Sequence, residues 1–453
     1  MACRKSWGLP HRSLSIDRME RACCMFEKIF KLSAHHTSIK TECVAGLSTF
    51  LAMSYIIFVN PAVLSMAGMD KGAVFVATCL MAAFSSALMG LLANYPICLA
   101  PGMALNTYFT YGVVLGAGHS WQVALGAVFI SGCIFLLLSF LPVREYLING
   151  IPKSLKIAIV AGIGLFLGAI GLKNAGVLII NGPDVVNLST LTQPTTLLAL
   201  GGFVLIFILE SRNIMGSILM SILAITALSA LLGYNHLAAP FSKPPSLAPI
   251  FLQLDLKNAF TLGMSTIIFA FLFVDFFDNT GTLIAVAHQA KLLDPTGNLP
   301  RLNRVLIADS TAAIISSLLG TSTTTSYLES AVGAKMGGKT GLTALVVAVF
   351  FLMALFMSPL ANAIPVYATA PAIAYIACLM VRAFTEIPWD DITEYAPALI
   401  TAVAMPLTFS IAEGISFGFI SYVIIKLVAR RHKDLTPAMV ILALLFLLRA
   451  LLS

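Results

Sequence analysis

The 453-residue chain has few charged residues, and this scarcity restricts its fold class. Asp, Glu, Lys and Arg make up 10% of the sequence, hydrophobic residues make up 59%, and the mean hydropathy is +0.94. Soluble domains carry about 25% charged residues, so a single globular domain and a disordered chain are both excluded. What remains is a polytopic α-helical membrane protein, long enough for about 14 spans.

Cysteine spacing and catalytic motifs give no sign of metal or covalent chemistry. The eight cysteines form no CxxC pair and lie mostly in apolar runs, which argues against a disulfide scaffold and against a zinc or redox site. HExxH, GxSxG and Walker A motifs are missing, and Asp278 follows two phenylalanines rather than a GxG sequence. We therefore predict no cofactor, no metal and no enzymatic activity.

The remaining charges are unevenly distributed. No Asp, Glu, Lys or Arg occurs between Lys71 and Arg144, or between Lys339 and Arg382. These runs do not alternate with a period of two, which disfavours an outer-membrane barrel. The net charge of +7 has no basic domain to carry it, so it indicates loop asymmetry and not nucleic-acid binding.

A basic arm precedes the hydrophobic segments. It spans residues 1–40, holds eight Lys and Arg residues, and lacks the apolar core of a signal peptide. Met19 and Met25 are alternative starts. Two interpretations stay open: an extension of the gene model, or a cytoplasmic tail that lies on anionic lipid.

Fifteen hydrophobic segments follow the arm. They lie near 43–66, 72–93, 98–116, 120–141, 153–172, 194–211, 214–233, 258–288, 302–320, 322–337, 341–360, 364–384, 393–411, 412–430 and 436–452. The third and tenth are weak as full spans, and the last is short enough to lie in the membrane interface. Basic residues concentrate in the even-numbered connections, which predicts a cytoplasmic N-terminus and fourteen crossings that end near residue 430.

The two weak segments occupy matching positions if fourteen spans form two sets of seven. An odd-numbered repeat must insert upside down in its second copy, which gives an inverted repeat. The third segment begins after Pro101 and Gly102, and the tenth begins with a Ser/Thr run after Gly320. Interrupted polar segments at corresponding places indicate a transporter binding site.

Of the carboxylates in these segments, four are candidates for substrate or proton binding: Asp275, Asp278, Asp309 and Glu329. Asp275 and Asp278 share a helix face, so one can hold a proton, or both can serve as structural caps. Glu329, one turn into the tenth segment, can accept hydrogen bonds from a ligand or satisfy the helix dipole. Asp309 is a proton relay or a structural partner of a nearby helix.

Asn106 lies in the third segment and can both donate and accept hydrogen bonds. This suits the edge of a heteroaromatic ring, which also does both. An interhelical hydrogen bond is the alternative for this side chain.

Five motifs, in this order, resemble those of the AzgA-like purine permeases. They are FVNP (58–61), APGMALN (100–106), FDNTGT (277–282), GTSTTTSYLES (320–330) and GGKTGLT (337–343). The resemblance covers about residues 32–452. It indicates the hypoxanthine, adenine and guanine branch of the nucleobase:cation symporters.

The resemblance implies an all-α polytopic membrane protein with the fold of uracil permease. That fold has about 14 transmembrane helices in two inverted seven-helix repeats, and its two half-helices are preceded by short strands. Two domains are implied: a core formed by residues 41–141 and 258–360, and a gate formed by residues 142–257 and 361–453.

The resemblance also implies a substrate site. Asp278 and Glu329 match the acids that hold the base, Asn106 matches a polar contact of the third span, and Tyr327 matches an aromatic beside the base. The remaining expected contacts are Thr282, Thr325, Ser326 and the backbone of Leu328. Because Thr282 stands where uracil permeases have a histidine, the proton carrier stays open among Asp275, Asp278, Asp309 and Glu329.

The expected function is import of purine bases by proton symport across the bacterial inner membrane, with the core moving against the gate. The expected partners are a purine nucleobase, a proton and the lipid bilayer, with homodimerisation through the gate helices. An uncoupled facilitator and an intramembrane enzyme are the alternatives. A third, an anion transporter of the same fold, would need a basic residue near the half-helices, and none occurs between Arg304 and Lys335.

Overall fold

The computed structural model describes residues 25–140, 151–178, 191–236, 241–290, 292 and 299–452. Within them the chain is mainly helical, with one pair of three-residue strands. The elements of the first half are α1 (25–30), α2 (Ile39–Met53), α3 (Ile56–Ser65), α4 (Lys71–Leu92), β1 (Leu99–Pro101), α5 (Met103–Thr107, continued by a π-helix over Tyr108–Gly116), α6 (Trp121–Phe140), α7 (Lys153–Asn174), α8 (Pro194–Ser211) and α9 (Ser217–Leu231). The elements of the second half are α10 (Leu256–Ala259), α11 (Ser265–Gln289), α12 (Leu302–Leu319), β2 (Thr324–Ser326), α13 (Ser330–Lys335), α14 (Gly341–Ala354), α15 (Ser358–Ala363), α16 (Val366–Val381), α17 (Ile392–Thr408), α18 (Ile411–Val428) and α19 (Pro437–Leu452).

The helices follow the predicted hydrophobic segments in order. Nine helical stretches of the described residues are long and apolar enough to cross a membrane, and α2 and α3 together form the first of these, Ile39–Ser65. The third and tenth segments are the interrupted ones, as their sequences predict. The third is a strand followed by α5, and the tenth is a strand followed by the six-residue α13.

The two strands join the two halves of the chain. They are antiparallel, with Ala100 opposite Thr325 at the centre and Leu99 and Pro101 opposite Ser326 and Thr324. Each strand precedes the half-helix of its own half, so the pairing unites corresponding elements of the two repeats. Antiparallel pairing of equivalent strands is what a two-fold axis in the membrane plane produces.

The outer edge of β1 is satisfied by side chains of α4. The Ser86 hydroxyl accepts the Leu99 N–H at 3.1 Å and lies 2.9 Å from the Leu99 carbonyl, to which Ser85 also donates at 3.0 Å. Non-helical backbone at membrane depth is tolerated only when its polar groups find partners inside the protein. The two serines therefore allow a strand in an otherwise apolar region.

The helices pack mainly in two groups. In the first, α4 packs on α12 and α14, and α6 packs on α12. The crossing of α4 and α14 is so close that a Cβ on Gly341 would lie 1.9 Å from the Gly90 carbonyl oxygen. In the second group, α7 packs on α16 and α17, and α17 packs on α18. The strand pair belongs to the first group, and its flanking helices α5 and α11 both contact α7 of the second.

Candidate functional site

Buried polar side chains gather around the strand pair. Asn106 on α5, Asp275 on α11, and the run from Thr321 to Ser326 are all buried. Polar groups inside a membrane protein are costly unless they pair with one another or face a substrate or cavity. The contacts of each side chain indicate which role it has.

Glu329 directly precedes α13 and is half-buried. The hydroxyl of the buried Tyr55, at the junction of α2 and α3, donates a 2.8 Å hydrogen bond to Glu329 Oε1. The sequence places Glu329 one turn into the tenth segment, which begins with the Ser/Thr run. The β-branched threonines before Glu329 form β2, so the helix begins only at Ser330.

Tyr327 connects the end of β2 to β1. Its hydroxyl donates to the Pro101 carbonyl at 2.7 Å, and its backbone N–H donates to the Cys98 carbonyl at 3.0 Å. Its ring lies 6.4 Å from the ring of Tyr55, measured between centroids. The two aromatic rings and the Glu329 carboxylate are therefore neighbours, which fits a flat ligand with an N–H edge.

Asn106 is fully buried, and only part of its amide is engaged. The Ser322 hydroxyl donates to Asn106 Oδ1. Within the described part of the chain, Asn106 Nδ2 has no hydrogen-bond partner. A buried donor without a partner costs about 1–3 kcal/mol, so such a group is typical of a site completed by a ligand.

Asp275 and Asn279 hold β2 against α11. Asp275 accepts hydrogen bonds from the Thr323 hydroxyl at 3.0 Å and from Asn279 Nδ2 at 2.9 Å. Asn279 Oδ1 in turn accepts the Ser326 N–H at 2.5 Å. Asp275 is thus in contact with side chains that position the strand, one turn from Asp278, another of the four candidate proton carriers.

The predicted contacts on and after β2 have different environments. Thr325 is buried against Gly102, where a Cβ on the glycine would lie 2.6 Å from the Thr325 methyl group. The Ser326 hydroxyl is buried and has no partner within the described residues, as is also true of the Thr324 hydroxyl. Leu328 is 50% exposed, so its side chain does not form part of the buried cluster.

The other predicted acids lie on α11 and α12. Asp309 is fully buried on α12. Asp278 lies within α11, but its side chain is outside the described part of the structure. Thr282 is half-buried one turn further along the same helix.

Comparison with known sequences identifies the family to which this chain belongs. The sequence model described as "Permease family", that of xanthine and uracil permeases, matches residues 40–425. The chain belongs to this permease family. The permease is 48% identical to adenine permease AdeP of Escherichia coli (strain K12) over 425 residues, 94% of this chain and 96% of that one. It is 42% identical to guanine/hypoxanthine permease PbuG of Bacillus subtilis (strain 168), covering 92% and 98% of the two chains.

These relatives confirm the resemblance to the purine permeases, and they confirm that the permease is a membrane transporter and not an enzyme. The solved transmembrane domain of the cyanobacterial bicarbonate transporter BicA has the same inverted-repeat fold. Its TM-score is 0.62 at 18% identity, over 83% of this chain and 96% of that one. At an identity this low, the similarity shows a shared fold and nothing more.

Sequence reasoning missed four partners of the permease site: Tyr55, Asn60, Ser322 and Thr323. Asn60 donates to Thr78 at 2.7 Å and to Thr321 at 3.1 Å, and so holds the segment before β2. A signal for Asn60 was present, because an amide before a proline is unusual in an apolar segment. Tyr55 had no comparable signal, because aromatic residues are common in spans.

Proposed function

We propose that this permease imports purine nucleobases together with protons by alternating access. The proposal rests on a cluster in which Asn106 Nδ2 has no hydrogen-bond partner among the described residues. In the same cluster Glu329 is held by Tyr55 beside the Tyr327 ring. The names of the relatives AdeP and PbuG, an adenine permease and a guanine/hypoxanthine permease, support purines as the substrate class.

The chemistry of a purine matches these groups. A purine carries ring N–H donors and ring nitrogen acceptors along flat edges, so its site must both accept and donate. The Glu329 carboxylate accepts from an N–H, and Asn106 Nδ2 donates to a ring nitrogen. Tyr327 lies against the flat face of the ring. Asp278 is proposed as the second acid, and Thr282 and the backbone at Leu328 complete the edge.

Proton coupling is assigned to the same carboxylates. Asp275 already accepts two hydrogen bonds that position β2, so we place the transported proton on Glu329 or Asp278, with Asp309 as a relay. Each charge moved across the membrane is worth about 2.3 kcal/mol per 100 mV. That is sufficient to drive accumulation of a neutral base.

The switch in access is assigned to movement between the two packing groups. The site belongs to the first group, and α5 and α11 carry it against α7 of the second. We propose that the first group is the core and the second the gate, as the fold class implies. Basic connections favour a cytoplasmic N-terminus in a bacterial inner membrane.

The test is uptake of radiolabelled hypoxanthine, adenine, guanine and uracil into a bacterial host that lacks its own base transporters. Wild type is compared with Glu329→Gln and with Glu386→Gln, a matched control at an exposed residue whose ion pair with Lys153 lies at the surface. We expect purine uptake that falls at least tenfold with Glu329→Gln or a protonophore and is unchanged in the control. Uptake that survives the protonophore would identify an uncoupled facilitator. Failure of a well-expressed wild type to move any purine would contradict the proposal.

A further inference from the structure

A second site lies outside the strand pair, where the N-terminal arm meets α4 and α12. Its cavity of about 410 Å³ is lined by Ile29, Lys31, His35, Leu91, Leu92, Asn94, Arg301 and Arg304. The cations come from segments far apart in the sequence, the arm and the start of α12. The described lining residues include no Asp or Glu.

The two described acids nearest to Lys31 in the sequence, Glu27 and Glu42, have backbone partners. Both carboxylate oxygens of Glu27 accept the Ser33 N–H, at 3.1 and 3.2 Å. Glu42 is buried and accepts the backbone N–H groups of Lys339 and Thr340 at 3.0 and 3.3 Å. The ion pairs of the described residues involve Lys153, Lys426 and Arg431 and none of the cavity cations. The cavity therefore holds positive charge that the described carboxylates do not neutralise.

The two arginines occupy an unfavourable place for a cation. Arg301 is the N-cap of α12 and Arg304 lies in its first turn. The N-terminus of a helix carries partial positive charge, so cations there are destabilising and an anion is stabilising. Arg301 also has a left-handed backbone with φ of 58° and lies over the Tyr95 ring, 4.7 Å from its centroid. An anion bound between the arginines would relieve this arrangement.

The frame of the cavity is built from fixed contacts. Asn94, just after α4, donates to the Phe30 carbonyl at 3.1 Å and accepts the Gly341 N–H at 2.8 Å. Phe30 is buried against Leu342 of α14. The arm is thus fixed to the end of α4, and its cations are held at the cavity.

The apolar residues of the cavity indicate a lipid. Leu91 and Leu92 end the apolar helix α4 and are 54% and 41% exposed, and Ile29 is 48% exposed. The cations therefore lie where a membrane span ends, at the level of phospholipid headgroups. A phosphate at the cations would leave acyl chains beside these three side chains.

We propose that this cavity binds a phosphate group, as carried by the headgroup of an anionic phospholipid. The site is separate from the transport site and does not depend on the transported substrate. Lys31 and Arg304 act as its charged contacts, and Arg301 is fixed by Tyr95 and completes the positive field.

The lowered pKa of His35 agrees with an excess of positive charge around the cavity. Burial and the positive charge of Arg301 lower the pKa of His35; Lys339 and Lys31 act in the same direction, and Glu42 opposes them. A bound phosphate would raise this pKa, since it adds negative charge beside the imidazole. Phosphate binding and protonation of His35 then favour each other, so affinity should rise as the pH falls through the His35 pKa, and His35→Gln should weaken that dependence.

The test uses the purified full chain in mild detergent, titrated with phosphatidylglycerol or phosphatidylcholine and followed by native mass spectrometry. We expect preferential binding of phosphatidylglycerol, about fivefold weaker for each charge removed in Lys31→Gln and Arg304→Gln. Arg304→Lys should restore most of the loss. Lys28→Gln and Arg212→Gln remove exposed charges outside the cavity and should leave the affinity unchanged.

A second titration with inorganic phosphate, in the same detergent without added phospholipid, distinguishes the source of the phosphate. Phosphatidylglycerol binding that depends on Lys31 and Arg304 supports the lipid. Inorganic phosphate binding that depends on them, without phosphatidylglycerol binding, would overturn the lipid assignment in favour of a soluble phosphate compound. If neither ligand responds to the cavity substitutions, the site is refuted.

Discussion

The hydroxyl of Tyr55 donates a 2.8 Å hydrogen bond to the Glu329 carboxylate, and these two residues lie 274 positions apart in the chain. Tyr55 belongs to the first repeat and Glu329 to the second. The acid proposed to hold the purine is therefore oriented by the other half of the molecule. This contact gives the site a geometry that neither repeat has alone.

Tyr55→Phe should reduce the kcat/KM of purine uptake about tenfold, with protein abundance unchanged. The substitution removes one hydrogen bond to a charged group, worth about 1.5–3 kcal/mol, and keeps the ring that lies near Tyr327. Initial uptake rates over a range of substrate concentrations measure the effect. Tyr234→Phe at a half-exposed tyrosine is the matched control. Equal kcat/KM for Tyr55→Phe and wild type would argue against a role for this contact.

Asn279→Ala should impair both stability and transport. The substitution removes the acceptor of the Ser326 N–H and a donor to Asp275, and a buried N–H left unpaired costs about 1–3 kcal/mol. Thermal unfolding in detergent and purine uptake measure the two effects. Asn258→Ala removes one solvent-exposed hydrogen bond, to Asp255, and should have a much smaller effect on stability and none on transport. A variant as stable and active as wild type would show that β2 does not need this anchor.

Gly341→Ala should sharply lower the yield and melting temperature of the permease. The new Cβ would meet the Gly90 carbonyl oxygen at 1.9 Å, so α4 and α14 would have to separate. Gly201→Ala is the matched control, because its Cβ would meet no atom of the described residues within 4 Å. Alanine there should be neutral or stabilising by about 0.5–1 kcal/mol, since it favours the helix. A normal melting temperature for Gly341→Ala would contradict the close crossing.

Lys426→Met should destabilise the second packing group. Lys426 is 1% exposed and pairs with Glu394 at 2.6 Å and Asp434 at 3.0 Å. Removing one partner of a buried ion pair lowers the free energy of unfolding by about 3–5 kcal/mol. Because both acids are partly exposed, we expect a loss at the lower end of this range. Thermal unfolding measures the loss, with Lys433→Met at an exposed lysine as control. Equal melting temperatures for the two variants would mean that the buried charges are not coupled.

Much of the fold could be predicted because its determinants are local. Charge-free runs fix the spans, and the glycine, proline and Ser/Thr interruptions indicate where the third and tenth segments break. A Ser/Thr run can precede a helix or form a strand, so the residues before Glu329 do not by themselves define where the helix begins. The run forms a strand because it pairs with β1. That pairing joins residues 99–101 to residues 324–326, which are far apart in the sequence.

The site was only partly predictable, because its contacts join residues that lie far apart in the sequence. Asp275, Asn106 and Glu329 stand out because polar groups are costly in apolar segments. Their partners Tyr55, Thr323 and Ser322 are ordinary residues whose roles depend on contacts across 48 to 274 positions. Asn279 lies one helical turn after Asp275 within a recognisable motif, yet its bond to the Ser326 N–H depends on where β2 lies.

If the cluster around Asn106 and Glu329 binds the purine, the equilibrium affinity of the purified permease for purines must depend on both side chains. Hypoxanthine, adenine, guanine and uracil would be titrated into the purified permease, its Asn106→Ala and Glu329→Gln variants, and Asn258→Ala as control. We expect wild type and control to bind at least one purine. We also expect affinity at least tenfold lower in the two site variants, each shown to be folded by a cooperative thermal unfolding transition. Purine affinity equal to wild type in both site variants would contradict it.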